Sequence, residues 1–154
     1  MLSSLACEKK PVKLGAFDRF ERMTIEERRS FCVFCAQKAG EVLTKVAPGK
    51  TAKHIDSTVA ALELALVMDS PDVEKLKELA LHCVDGLEKS EGEEDVTRLA
   101  AMTQFYAVST FALEGEKALK DAVRCFASTG LLMSKAGAED ARAEIQAEFV
   151  RLSE

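Results

Sequence analysis

Long runs without proline or glycine, each with apolar residues recurring every three or four positions, commit this chain to a bundle of helices. Its three prolines and eight glycines fall almost entirely where such helices have to start or stop. Thr24-Ile25-Glu26-Glu27 is a capping box: the threonine hydroxyl takes a first-turn amide, and Glu27 reaches back to the threonine N–H. The helix it opens is expected over 25–46, ending at Ala47-Pro48-Gly49, with Cys32, Cys35, Ala36, Ala39, Leu43 and Val46 on one face. The next is expected over 52–68 and carries Ile55, Val59, Leu62 and Leu66. Asp69-Ser70-Pro71-Asp72 reads as stop, N-cap and N1 proline. Beyond it Val73, Leu76, Leu79, Ala80, Cys83 and Leu87 stripe a further helix.

Ser90-Glu91-Gly92 separates that helix from one expected over 93–114, which is apolar nearly all round: Leu99, Ala100, Ala101, Met102, Phe105, Tyr106, Val108, Phe111, Ala112 and Leu113. A helix with so little polar face is buried on most sides, so it should be the central element. Gly115 ends it. Leu119, Ala122, Val123, Phe126 and Met133 stripe the next helix, which stops near Gly137, and the last, over 139–152, turns Ala141, Ile145, Phe149 and Leu152 inward. Phe17, Phe20 and Met23 mark a short helix within 1–23 that docks on the bundle. The connections are short, which favours antiparallel neighbours, and there is no linker and no repeat of fixed period. The expected fold class is all-α, a single domain over 1–154 with six to seven mostly antiparallel helices around the 93–114 helix.

Charge and composition narrow the function classes. A net charge of −5 argues against sequence-independent nucleic-acid binding, which needs a basic face, and suits a basic partner. Nowhere do about 18 uninterrupted apolar residues occur, so no membrane span is expected. Leu2-Ser3-Ser4-Leu5-Ala6-Cys7 faintly resembles a lipoprotein cleavage site but lacks a basic lead-in and a signal-length apolar stretch. Five cysteines without regular spacing fit a reducing compartment, so a cytoplasmic location is expected.

Little in the sequence carries chemistry. Cys32 and Cys35 are three apart on one helix face, a spacing that suits a shared zinc if two more ligands come from His54, His82, Cys83 or Cys125. They lie two turns into a helix rather than at a helix start beside a strand, where redox thiols are activated. His82 shares the polar face of its helix with Lys75, Glu78 and Asp85 while Cys83 points the other way, so one tetrahedral site cannot easily use both. Buried, reduced, metal-free cysteines are therefore expected, with no cofactor and no metal. No phosphate loop, nucleophile elbow or Glu-x-x-His pair occurs, and no catalytic residue is expected. Arg19, Arg22, Arg28 and Arg29 interleave with Asp18, Glu21, Glu26 and Glu27 and should neutralise one another. The acidic run Glu88, Glu91, Glu93, Glu94 and Asp95, broken only by Lys89, is less balanced. Its acids complement a helix N-terminus, and Glu91, Glu93, Glu94 and Asp95 are the best candidate contact for a basic protein.

The segment Phe31-Cys32-Val33-Phe34-Cys35-Ala36-Gln37, followed by Val42-Leu43, Ala47-Pro48-Gly49 and Leu62-Glu63-Leu64-Ala65-Leu66, resembles the opening of the YjaG-like bacterial proteins of unknown function. It is also similar to small helical immunity proteins found beside polymorphic toxins. These resemblances imply a helical fold and partner binding, and no catalytic residues. The expected function is thus a cytoplasmic helical protein-binding domain, most concretely an immunity- or antitoxin-like protein whose acidic surface occludes a basic toxin or effector. The rival classes are a small metal- or thiol-dependent protein using Cys32 and Cys35, and a non-catalytic scaffold or regulatory subunit.

Overall fold

The computed structural model describes residues 15–68, 72–89, 91 and 95–154. Among them are seven helices and no strand: α1 (Ala16–Arg22), α2 (Ile25–Val46), α3 (Lys50–Val67), α4 (Val73–Lys89), α5 (Asp95–Ala112), α6 (Gly115–Ala136) and α7 (Glu139–Ser153). The Leu2–Cys7 stretch, Ser70, Pro71, Glu93 and Glu94 lie outside the described residues.

Local chemistry sets the helix ends. The capping box opens α2: the Glu27 amide donates to Thr24 Oγ1 at 3.1 Å, and the Thr24 amide to Glu27 Oε1 at 2.9 Å. At the start of α4 the capping acceptor is Asp72, whose Oδ1 takes the amides of Glu74 (3.0 Å) and Lys75 (3.4 Å). The cap therefore falls two residues later than the Ser70-Pro71 reading placed it, as suits an aspartate directly before the first helical residue. Gly137 closes α6 in the left-handed region (φ 69°), with the Ala138 amide donating to Met133 O at 2.9 Å.

The end of α5 is closed from a distance. Arg29 of α2 donates Nε to Thr110 O (3.4 Å) and Nη2 to Phe111 O (3.5 Å), and its guanidinium lies 5.2 Å from the Phe111 ring centre. A cation at a helix C-terminus meets both the free carbonyls and the dipole. The sequence pairs Arg29 with the acids beside it; in the fold it serves another helix.

As expected, α5 is the central helix: it packs against α2, α3, α4 and α6, and eleven of its 18 residues are buried. Several of these are polar (Thr97, Thr103, Gln104, Ser109, Thr110), whereas Met102, Phe105 and Tyr106 are only half-buried. Helix α2 is nearly as enclosed, since it touches α3, α5, α6 and α7. It buries Phe31, Val33 and Val42 besides the single stripe read from the sequence. Val46, placed inward by that stripe, is exposed: it is the last residue of α2 and lines an open polar cavity beside the α6–α7 turn. Four rings, Phe20, Phe31, Phe126 and Phe149, meet at centroid distances of 4.3–6.1 Å and join α1, α2, α6 and α7.

Phe31→Ala should therefore cost about 3–5 kcal/mol, the range for deleting a packed aromatic, and Phe105→Ala distinctly less. Urea unfolding midpoints at unchanged slope measure both; equal losses would contradict the burial difference between them.

Candidate functional site

Three places bear on function. The first is the cysteine seam. Cys32 and Cys35 of α2 and Cys125 of α6 are all fully buried and free. The Cys125 thiol lies 3.7 Å from Thr103 O and 3.9 Å from Cys32 O. Hydrogen bonding to the Cys32 and Cys35 thiols, reinforced by burial, holds Cys125 well above the ordinary thiol range. Burial likewise pushes Cys83 up to about 11, against the pull of a Thr58 hydrogen bond. Nucleophilic attack and metal ligation both need the thiolate, so this environment opposes both for Cys125 and Cys83. Among the described residues, no group of three His, Cys, Asp or Glu side chains is placed to hold a metal ion.

The second place is the acidic run. Glu88 and Glu91 are exposed, and Lys89 is taken by Asp85 at 2.8 Å. The cation that interrupts the run is thus already neutralised. Asp95, at the start of α5, lies 3.3 Å from Lys135 of α6. Of the four candidate contact residues, Glu91 and Asp95 are exposed at the α4–α5 connection, and Glu93 and Glu94 fall outside the described residues.

The third place was missed in the sequence. Helices α3 and α4 touch only lightly; α3 leans instead on α2 and α5, and α4 on α5. Between them runs a groove of about 480 Å³ lined by Ala61, Leu64, Ala65, Met68, Leu76 and Leu79, with Asp72, Lys75, Glu78 and His82 along its rim. Leu64 is 59% exposed and Met68 43%; Val67, beside them, is 78% exposed. The signal was available: Leu64-Ala65-Leu66-Val67-Met68 is apolar at five consecutive positions, which wraps a helix all round. A surface helix can hide only one stripe of such a run.

His54 of α3 and His82 of α4 close the groove's far end. Their rings stack at 3.4 Å between centroids and 8° between planes. His54 Nε2 is buried with no well-formed hydrogen bond among the described residues. It faces Gly86, where an added Cβ would stand 3.2 Å from it. The sequence offers these two histidines only as possible further ligands for a cysteine site, and nothing in it pairs them with each other.

No protein-family model, curated protein or solved structure matches the chain.

If the cysteines only fill space, Cys32→Ala and Cys35→Ala should each cost about 1–2 kcal/mol, as small truncations in a packed core do. Stability curves read the cost. Stoichiometric zinc in the purified protein, lost from either variant, would contradict the packing role.

Proposed function

We propose that this protein is a non-catalytic binding domain that receives an amphipathic helical segment of a basic protein partner in the α3–α4 groove. The observation that carries this reading is the groove itself, with Leu64 and Met68 standing exposed over an apolar floor. Apolar grooves between helices take the apolar stripe of a partner helix. Two features support a basic partner over a second copy of this chain. Copies carrying −5 each repel. Glu88 and Glu91, exposed and without an ion pair among the described residues, lie beyond the groove's His82 end, Glu88 six residues further along α4, or about 9 Å of helix. Glu91, Glu93, Glu94 and Asp95 then steer the encounter, and the groove supplies the lasting contact. An immunity- or antitoxin-like protein that covers the basic cleft of a toxin or effector is the most concrete form of this reading, and it fits a cytoplasmic setting.

Affinity capture with wild type and with Leu64→Glu/Met68→Glu separates groove-dependent partners from the rest. These side chains are exposed, so the change should move stability by no more than about 0.5 kcal/mol each. Binding of a true partner should weaken at least tenfold, about 1.4 kcal/mol. Charge reversal of Glu91, Glu93, Glu94 and Asp95 to lysine should slow association and flatten its salt dependence, since rim charges act on the encounter rate. Undiminished binding by the groove variant would overturn the groove reading, and unchanged rates and salt slopes would remove the acidic run from the interface. Concentration-dependent dimers of the chain alone, abolished by Leu64→Glu, would make a second copy the occupant.

A further inference from the structure

We propose that His54 and His82 form a proton-operated latch between α3 and α4 that sets the opening of the groove. The inference rests on the groove reading for its consequence in binding, but on geometry for the latch.

Two imidazoles stacked 3.4 Å apart and nearly parallel attract as neutral rings and tolerate one charge. A second charge at that distance repels strongly, because both ring faces present the same sign. The surroundings of His54 disfavour even one. Its Nε2 is buried against Gly86 and makes no well-formed hydrogen bond among the described residues, so a proton placed there would be poorly satisfied. Burial, then the neighbouring His82, hold the His54 pKa below the ordinary histidine value. A backbone hydrogen bond at His82 and the charge of Asp85 work in the opposite direction, and Lys89 works with the lowering. Besides His82, the charged groups acting on His54 are thus Asp85 and Lys89. Both belong to α4; α2 and α5, which also pack against α3, bring none among the described residues.

The stack joins the two helices across a sparse interface, beside the buried Thr58 and Cys83. Helix α4 is held chiefly by α5 and only lightly by α3, so parting the rings need not unfold the bundle. His82 is also part of the groove rim, so separation of the rings is transmitted directly to the surface proposed for the partner. At neutral pH the pair is closed. As the pH falls below about 6.5, the unfolded chain takes up the His54 proton before the folded chain does, so His54's contribution to stability is present above that pH and lost on acidification.

The chain has only two histidines, so ring signals in a ¹H–¹³C NMR titration are readily assigned. His54 is expected to titrate below the ordinary range, and the methyl signals of Met68 and Leu79 to shift along with it. His82→Phe keeps a flat ring over His54 and deletes one charge; because His82 is exposed, the variant should fold. In it the His54 midpoint should rise, and the groove methyls should lose their response to the second charge. A His54 midpoint at the ordinary value, the same midpoint in wild type and His82→Phe, or groove methyls that stay still through the histidine titration would overturn the latch. Because none of these measurements involves a partner, a working latch with no binding in the Leu64/Met68 experiment would indict the groove reading alone.

Discussion

The fold depends on how closely α2, α5 and α6 approach one another. Their contact is built from small side chains (Cys32, Cys35, Ala36, Ala100, Ala107, Ala122, Cys125), with Thr103, Gln104, Ser128 and Thr129 filling what remains. Small residues bring helix axes together, but they also bring backbone carbonyls and hydroxyls into a dry interior, where every unpaired polar atom is costly. The seam meets this locally. Thr103 Oγ1 donates to Leu99 O and lies 2.9 Å from Ser128 Oγ, while Ser128 and Thr129 turn back onto Cys125 O. Gln104 crosses to α2, donating Nε2 to Ala36 O at 2.9 Å. Its Oε1 has no partner among the described residues, a cost of about 1–3 kcal/mol that the packing around it must offset.

With that seam fixed, the other helices follow. The four-ring cluster of Phe20, Phe31, Phe126 and Phe149 ties α1 and α7 to one side of α2 and α6. Lys38 of α2 adds an ion pair to Glu144 of α7 at 2.8 Å. On the other side α3 and α4 cover α5 without closing on each other. Their junction is a histidine stack, a buried Thr58 and Cys83, with no counterpart to the aromatic cluster. One half of the bundle is therefore locked by large rings, and the other is joined by groups whose charge can change.

What the sequence made legible tracks the range of each interaction. The capping box of α2, the glycine stop of α6 and the central place of α5 are written in residues a few positions apart, and each is found where it was read. The Arg29 clamp joins residues 81 and 82 positions apart, and the acids beside Arg29 gave a local alternative that looked sufficient. The buried roles of Thr103 and Gln104 could not be read locally, because their partners, Ser128 and Ala36, come from other helices. The acidic run could be seen as a charge pattern. The exposed apolar wall of α3 was legible in its run over 64–68, but the groove was not, because a groove belongs to two helices and their spacing, and neither stripe alone predicts that spacing.

The exposed residues of α3 raise a question that stability alone does not answer. The chain leaves none of its phenylalanines exposed and pairs many of its surface charges, yet Leu64, Val67 and Met68 stand in water, as do Ile25, Leu81 and Leu131 elsewhere. Polar residues there would keep the helix, since Glu, Gln and Lys form helices nearly as well as Leu. They would also remove an apolar surface that invites non-specific association. The isolated fold thus gains little from Leu64 and Val67, whereas the proposed groove for a partner's apolar stripe uses Leu64 and Met68. Methionine suits such a contact, because its unbranched side chain can repack around a helix of somewhat different shape. The lightly held α3–α4 junction suits the same proposal: walls with few contacts between them would accept a range of inserted side chains, and the proposed histidine latch would set where they part.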